Sequence, residues 1–312
     1  MTTTHTFRFG MIAVRNVTRR EWQEKARSIA DAGFSTLLMT DHLGDDRLSP
    51  LPALVSAADA APTLRVGTIV LNNDLRHPAV LAKDIATVDI LTDGRFELGM
   101  GAGWENEDYE MSGLPYDRAG VRVSRLEESL AILDALFTGE HVTYAGEHYT
   151  ITDLPALPKP MQKPRPPFLV GGGGKRVLSV AARMADIVGI HVRARTDGTG
   201  QDWTSATRED VAQKVAWVQE SAGERFDQLE LCQNIFSVVV TDDRQAAARH
   251  LSTRFSLSQE AILESPYFLI GSVKLICEQL LESRERFGIS YIIASDVFKD
   301  ALAPVVANLA GK

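Results

Sequence analysis

Short apolar runs without polar alternation recur along this chain and predict buried β-strands. The run over residues 36–40 contains Leu37, Leu38 and Met39 in succession. A strand that alternated apolar and polar residues would have one face in water, whereas an unbroken apolar run is typical of a strand covered on both faces. This pattern therefore predicts a parallel sheet with helices packed against it.

Segments with helical spacing separate these runs, and the first of them shows the pattern clearly. Trp22, Ala26 and Ile29 recur at intervals of three and four residues, which places them on one face of a helix. Thr18 and Glu21 stand three positions apart before this face, as in a capping box. The spacing predicts an amphipathic helix that packs one face on the sheet.

Strand and helix patterns alternate over the whole chain, which predicts an α/β fold. The predicted strands span residues 7–14, 36–40, 64–71, 95–101, a run from 168 into the glycines, 187–192, 229–240 and 290–295. Eight regular units favour one closed (β/α)8 TIM barrel over residues 1–312, with an open doubly wound sheet as the alternative. Residues 138–167 break the rhythm and are interpreted as an insertion.

Composition and charge narrow the possible partners. The chain has 312 residues and a net charge of −8, which argues against nucleic-acid binding because such proteins usually carry a basic face. Residues 1–5 lack the apolar core of a leader, and no apolar run reaches membrane-spanning length. Cys232 and Cys277 are isolated, as in a reduced compartment. We therefore expect a cytoplasmic protein with a small-molecule substrate, no membrane partner and no nucleic-acid partner.

A glycine-rich turn is the most informative local motif. The predicted strand from Phe168 runs directly into Gly171, Gly172, Gly173 and Gly174, followed by Lys175 and Arg176. A helix that begins here directs unpaired backbone N–H groups and its positive dipole end towards one point. Glycines allow a phosphate to approach the backbone closely. The motif predicts a phosphate site, although it matches neither the Rossmann nor the P-loop pattern.

In a closed barrel of this type the active site lies at the C-terminal ends of the strands. Asp41 and His42 follow the second predicted strand. His42 is the best candidate for proton transfer, because a histidine titrates close to neutral pH. Adjacent strand residues point to opposite faces, so Asp41 is expected to hold backbone or cofactor and not to pair with His42.

Other polar and aromatic residues at strand ends give weaker predictions. Trp104 follows a Gly-Ala-Gly sequence and is suited to stacking against a flat ligand. Glu105 and Glu107 are interpreted as solvated or helix-start residues. His191 either reaches the barrel mouth or ends its strand, and the sequence does not decide between the two. No cluster of residues shows the spacing of metal ligands, so no metal site is predicted.

Several segments together resemble the luciferase-like monooxygenase superfamily, and most closely its branch that uses the deazaflavin coenzyme F420. They cover residues 39–42, 66–72, 76–80, 93–104 and 167–174. The resemblance implies a bacterial luciferase-like TIM barrel that binds a flavin or deazaflavin at the strand C-termini. It also implies a non-proline cis peptide near Ile69–Val70, proton handling at His42, and a homodimer.

The resemblance and the glycine motif together define the predicted cofactor contacts. These are Asp41, Ile69, Val70, Asn72, Gly103, Trp104, Gly171, Gly172, Gly173, Gly174, Lys175 and His191. One departure concerns the substrate. Sugar-phosphate dehydrogenases of the branch have a glutamate proton donor at the position of Trp104, so the sequence argues against glucose 6-phosphate.

Three functions follow as hypotheses. The favoured one is an F420-dependent oxidoreductase that transfers a hydride between deazaflavin and a small organic substrate. The first alternative is an FMN-dependent two-component monooxygenase of the same fold, in which a separate flavin or F420 reductase would be a partner. The second alternative is a non-catalytic barrel that only binds flavin or deazaflavin.

Overall fold

The computed structural model of the chain describes residues 5–14, 18–44 and 46–312. The expectation for residues 1–5 concerns a segment of which residues 1–4 lie outside the described residues. The strands are β1 (Arg8–Ile12), β2 (Thr36–Met39), β3 (Arg65–Thr68), β4 (Leu71–Asn72), β5 (Phe96–Gly101), β6 (His141–Ala145), β7 (Thr150–Pro155), β8 (Phe168–Gly172), β9 (Ile187–Ile190), β10 (Arg193–Ala194), β11 (Gln201–Asp202), β12 (Glu230–Ile235), β13 (Ser237–Val240), β14 (Phe268–Gly271) and β15 (Ile289–Ser295).

Helices separate the strands and cover the outside of the sheet. They are α1 (Arg19–Asp31), α2 (Pro50–Ala60), α3 (Pro78–Leu91), α4 (Asn106–Ser112), α5 (Ala119–Thr138), α6 (Lys175–Met184), α7 (Arg208–Ala222), α8 (Arg244–Phe255), α9 (Gln259–Glu264), α10 (Val273–Phe287) and α11 (Lys299–Leu309). Within the described ranges, no helix is long and apolar enough to cross a membrane.

The main sheet closes into a barrel, as predicted. Its strands follow the order β3-β2-β1-β15-β12-β9-β8-β5-β4, and pairing of β3 with β5 completes the ring. Since β3 and β4 are two parts of one interrupted strand, the ring has eight parallel strands, which confirms the (β/α)8 prediction. All strand C-termini therefore meet at one rim, which we call the mouth.

Local signals in the sequence account for several element boundaries. Thr18 and Glu21 form the predicted capping box at the start of α1, with the Thr18 backbone N–H donating to Glu21 Oε2 at 2.8 Å. His77 accepts a hydrogen bond from the backbone of Ala79 at the start of α3 and so caps that helix. These contacts satisfy N–H groups that have no partner within the helix.

The predicted strand 229–240 is wrong in one respect, because the chain leaves the barrel within it. β12 pairs with β9 and β15, whereas β13 pairs with β14 in a separate two-stranded sheet. The switch occurs at Phe236, whose backbone N–H donates to the carbonyl of Tyr267 at 3.0 Å. The sequence pattern did not indicate β14, since its four apolar residues are too few to identify a strand.

Residues 138–167, which the sequence predicts as an insertion, interrupt the alternation of strands and helices in the structure as well. Strands β6 and β7 pair antiparallel within residues 138–167. The loop between β9 and α7 also forms a small hairpin, β10 with β11. In this hairpin the Gly198 carbonyl accepts the backbone N–H of Asn106 at 3.2 Å, so the hairpin lies on the loop that follows β5.

Charged side chains close the N-terminal end of the barrel interior. Arg8 donates to Glu97 at 2.6 Å and to both carboxylate oxygens of Glu230 at 2.7 and 2.6 Å. Arg65 also donates to Glu97, at 2.7 Å. The Arg8 guanidinium lies 3.5 Å from the ring centroid of Tyr291. We call this group the floor; above it the interior is filled by apolar side chains.

Candidate active site

His42 lies just beyond the C-terminal end of β2, at the mouth, as the sequence predicts. Its Nδ1 is 2.8 Å from Oδ2 of Asp108 and 2.8 Å from Oε2 of Glu105. Ionised carboxylates only accept hydrogen bonds, so Nδ1 carries the hydrogen and donates it. The other ring nitrogen, Nε2, is therefore the atom left for proton exchange with a ligand.

Asp108 is held from two sides and is almost fully buried. Its Oδ1 accepts the backbone N–H of Leu43 at 2.8 Å, and its Oδ2 faces His42. Helix α4 forms after β5 and carries Asp108 in its first turn, although apolar periodicity predicts no helix over this segment. Two acidic residues in that turn favour a helix start, and Gly113 ends the helix in the left-handed conformation.

Glu105 is the residue whose role the sequence underestimates. It is the N-cap residue of α4, which agrees with the helix-start interpretation, and it also contacts His42 although a third of its side chain is exposed. Burial raises the pKa of its carboxyl above the ordinary value, and the charges of Asp108 and Glu107 add to this while His42 opposes it. Two carboxylates thus share one imidazole N–H.

The same three side chains bring potential metal-ligand atoms within 4.8 Å of one another. The sequence gives no such spacing, because His42 and Asp108 are 66 positions apart. Both carboxylates stand at hydrogen-bond distance from Nδ1, which accounts for their approach. We therefore interpret His42, Glu105 and Asp108 as a group that handles protons.

Asp41 points away from His42 and fixes the neighbouring strand ends, as the alternation of side chains predicts. Arg76 contacts both of its oxygens, with Nη2 3.0 Å from Oδ1. The backbone N–H of Asn72 donates to Oδ2 at 3.1 Å. This tie joins the end of β2 to the end of β4. Cofactor contact by Asp41 stays a prediction.

Asn72 and Gly103 serve a packing role beside this tie. Asn72 accepts the backbone N–H of Asp74 at 3.0 Å, and Tyr109 Oη lies 3.3 Å from Asn72 Oδ1. Gly103 has a φ of +73°, and a Cβ there would stand 1.9 Å from Tyr109 Oη. No other residue fits without displacing Tyr109. Contacts of Asn72 and Gly103 with a cofactor stay predictions.

The peptide bond Ile69–Val70 is cis, at the position that the resemblance implies. It separates β3 from β4, and Ile69 is buried in the barrel interior. Val70 packs over Gly101, where a Cβ would stand 2.5 Å from Val70 Cγ2. These residues form the inner edge of the mouth between β3 and β4.

The glycine turn joins β8 to α6 as predicted. Gly174 is the N-cap of α6 and provides no side-chain cap, so backbone N–H groups of the first turn are left for an anion. A Cβ on Gly174 would meet nothing within 4 Å, whereas one on Gly173 would lie 2.5 Å from the backbone of Arg193. Lys175 pairs with Glu220 at 3.0 Å on the exposed surface.

His191 reaches the barrel mouth, which decides the question that the sequence left open. A Cβ on Gly171 would lie 2.5 Å from its Nε2, so the imidazole lies directly over the glycine strand. Burial lowers the pKa of His191 to about 4, and the charge of Lys214 adds to this. His191 is therefore neutral at pH 7 and suits a wall of the site better than proton transfer.

A cavity of about 480 Å³ opens at the mouth beside His42. Trp104 lines it and meets the His42 ring edge to face, with centroids 6.0 Å apart. The apolar wall, as we call it, consists of Ile12, Val14, Met111, Ile235, Phe236 and Phe298. Polar lining residues are Thr40, Arg47, Asn234 and Ser295, besides His42 and the acidic residues of α4 and the loop before it.

The cavity and the glycine turn occupy different arcs of the ring. Lining residues come from β1, β2, β12 and β15, which are neighbours in the sheet, and from the loop after β5. Among the described residues that line the cavity, none belongs to β8, β9 or the cis peptide segment. His42 and Trp104 lie on the cavity side, whereas the glycines and His191 lie on the other.

The sequence profile of the luciferase-like monooxygenases matches residues 2–287, which is most of the chain. This chain belongs to the luciferase-like monooxygenase family. The family assignment agrees with the closed barrel and with the cis peptide between Ile69 and Val70.

Curated relatives of this family member have two kinds of cofactor in their names. The chain is 30% identical over 247 residues to the F420-dependent glucose-6-phosphate dehydrogenase of Nakamurella multipartita, covering 75% of this chain and 67% of that one. It is 29% identical to the FMNH2-dependent dimethylsulfone monooxygenase of Pseudomonas putida, over 45% of this chain and 37% of that protein. The chain spans about half the length of the first curated relatives it matches.

Solved structures of luciferase-like proteins share the fold. The coenzyme F420 dependent tetrahydromethanopterin reductase from Methanopyrus kandleri superimposes with a TM-score of 0.77. The match covers 98% of this chain and 99% of that one at 18% identity. At this identity the likeness concerns the fold of the barrel and its insertions.

Proposed function

We propose that this chain is an oxidoreductase that uses coenzyme F420 to move a hydride to or from a small organic substrate. The observation that carries the proposal is His42 at the mouth, held through Nδ1 by Asp108 and Glu105 beside a cavity of about 480 Å³. F420 is the choice of cofactor because the relative with the larger match is named as an F420-dependent enzyme.

The residues on the glycine side of the mouth fit a phosphorylated ring cofactor. The uncapped first turn of α6 offers N–H groups to a phosphate, and Gly174, with open space at its Cβ position, leaves the backbone accessible there. His191 and the Ile69–Val70 segment would border the ring, and Lys175 would add a positive charge. The substrate would then occupy the cavity on the other arc, with His42 and Trp104 between the two.

Bound deazaflavin supplies a two-electron hydride acceptor or donor. The protein handles the accompanying proton. With Nδ1 donating to Asp108, Nε2 of His42 accepts the proton that an alcohol oxygen loses, or returns one to a carbonyl oxygen. The negative charges of Asp108 and Glu105 stabilise the imidazolium that forms. Both chain neighbours of His42 are fixed before any ligand binds, Asp41 by Arg76 and Leu43 by Asp108, so the ring is already positioned.

A side-by-side titration of the cofactor-free protein with F420 and with FMN tests the proposal. We expect F420 to bind at least about ten times more tightly, measured by quenching of cofactor fluorescence. Tight binding of FMN alone would contradict the F420 assignment. It would favour the FMN-dependent monooxygenase, which the Pseudomonas putida relative supports and which should consume oxygen when given reduced FMN.

Substitution His42→Ala separates an enzyme from a barrel that only binds cofactor. We expect cofactor affinity within about three-fold of wild type and a turnover lower by about 100-fold, the usual contribution of a general acid or base. A variant that reacts as fast as wild type would remove His42 from the mechanism and favour the non-catalytic alternative.

A homodimer and a cytoplasmic location are further parts of the proposal. The dimer rests on the family resemblance, and the location rests on the two isolated cysteines. Light scattering coupled to size-exclusion chromatography tests the first. A two-fold mass relative to the 34.2 kDa chain is expected.

A further inference from the structure

We propose, building on the proposed function, that the cavity takes an uncharged alcohol or carbonyl compound with an apolar body, and that Asn234 binds its oxygen. A phosphorylated sugar is excluded by the charge of the same cavity. This substrate class differs from that of the Nakamurella multipartita relative, which is named for glucose 6-phosphate, and Asn234 is not among the site residues that the sequence predicts.

The charges in the cavity disfavour an anion. Among the described lining residues the carboxylates are Glu105, Glu107 and Asp108, and the permanent cation is Arg47. Three negative charges against one positive charge leave the lining negative when His42 is neutral. Two of these carboxylates already converge on His42, and Arg47 donates to the Thr40 hydroxyl. A phosphate dianion entering here would meet repulsion at short range.

The opposite side of the cavity is suited to a hydrocarbon group. The apolar wall combines aliphatic residues from the ends of β1 and β12 with the aromatic rings of Phe236 and Phe298. Burying apolar ligand surface against such a wall is favourable and requires no charge on the ligand. A substrate with a large polar surface, such as a sugar, would leave its hydroxyl groups without partners there.

Asn234 supplies the polar contact that such a ligand needs. It lies at the C-terminal end of β12 and lines the cavity. Within the described part of the chain its side-chain amide has no hydrogen-bond partner, although the neighbouring Ser295 and Thr40 hydroxyls are both engaged. An amide can donate to a carbonyl oxygen and accept from an alcohol. It therefore suits both oxidation states of the substrate.

Saturation-transfer difference NMR on the cofactor-free protein tests the substrate class without measuring turnover. Cyclohexanol and glucose 6-phosphate serve as probes at equal concentration. We expect transfer to the ring protons of cyclohexanol and none above background for glucose 6-phosphate. Binding of glucose 6-phosphate in the same site, shown by displacement of cyclohexanol, would overturn the inference.

Two pairs of variants sharpen the test. Asn234→Leu should lose most of the cyclohexanol signal and Asn234→Gln should keep part of it, with melting curves to show that both fold. An unchanged signal in Asn234→Leu would remove Asn234 from the proposal.

Glu107→Lys should gain binding of glucose 6-phosphate, whereas Glu110→Lys on the same helix, outside the cavity lining, should not. Equal gains in both variants would contradict the charge argument.

The proposal and the proposed function fail in different ways. If F420 binds and cyclohexanol does not, the substrate class is wrong and the cofactor assignment stands. If cyclohexanol binds and F420 does not, the cavity is described correctly and the oxidoreductase assignment fails.

Discussion

Both ends of the barrel interior place basic side chains against carboxylates, but with opposite consequences. At the floor, Arg8 and Arg65 stand against Glu97 and Glu230, so two positive charges meet two negative ones. At the mouth, one imidazole, His42, meets two carboxylates beside an open cavity. Balanced charges without free space hold the fold together, whereas unbalanced charges next to free space can exchange protons.

The pKa directions agree with this contrast. Burial opposes the charge on Glu97, but Arg8 and Arg65 outweigh it and lower its pKa below the ordinary value. Burial also raises the pKa of Glu105, and there the nearby carboxylates act in the same direction as burial. The floor thus stabilises its charged forms. At the mouth Glu105 is pushed towards the protonated form, as is common in catalytic sites.

The largest expected effect is on stability and comes from the floor. Glu97→Gln removes the buried carboxylate that Arg8 and Arg65 share, and the Glu230 that is left contacts Arg8 alone. Removing one partner of a buried ion pair costs about 3–5 kcal/mol. Urea denaturation should show a loss of this size, and Glu105→Gln at the mouth serves as the control. Equal losses of unfolding free energy in both variants would contradict the distinction between the floor and the mouth.

A substitution at the mouth should lower the turnover rate and not the stability of the fold. In Asp108→Asn the amide can still accept from Leu43, but the negative charge that stabilises protonated His42 is gone. We expect turnover to fall by about 100-fold, with cofactor affinity nearly unchanged. Steady-state kinetics over a range of pH measures this. A purely structural Asp108 would change the melting temperature and leave the shape of the pH profile as it is.

Acid should destabilise the protein partly through His191. Its pKa in the folded protein, about 4, lies below the ordinary value of 6.5. The unfolded chain therefore binds the proton first, so stability is full above pH 6.5 and falls as the pH drops towards 4. The contribution is at most about 3 kcal/mol. Denaturation of wild type and His191→Asn at pH 7 and pH 4.5 should show a smaller acid loss in the variant.

The smallest effect concerns the exposed pair of Lys175 and Glu220. Such pairs contribute about 0.2–1 kcal/mol, so Lys175→Ala and Glu220→Ala should unfold like wild type. If Lys175 also attracts the cofactor phosphate, Lys175→Ala alone should weaken F420 binding by about five-fold at low salt. Equal affinity in the two variants would assign the phosphate to the backbone of α6 alone.

The sequence predicts best what depends on neighbours in the chain. Counting strand ends places His42 at the mouth, alternation turns Asp41 away from it, and the Thr18–Glu21 spacing gives the cap of α1. Each of these follows from a periodicity or from a contact only a few residues apart. The barrel itself also follows, since eight βα units repeat one local pattern.

Contacts between distant segments could not be predicted in the same way. Asp108 reaches His42 only because α4 turns back across the mouth. A short helix of polar residues gives almost no periodic signal, so apolar periodicity does not predict α4. The position of Glu105 three residues before Asp108 is a signal in retrospect. Both would face one side of a helical turn that begins at the end of a barrel strand.

The arrangement of the mouth also has an evolutionary consequence. The tie of Asp41 to Arg76 and Asn72 anchors the segment that carries His42 to the ends of β2 and β4. The apolar wall belongs mainly to the C-terminal ends of β1 and β12 and to the turn after β15. Mutations can therefore reshape the chamber without disturbing the imidazole. Proteins with this arrangement can acquire a new substrate during evolution while they keep the same reaction. A protein engineer can change the substrate in the same way, by mutating the wall.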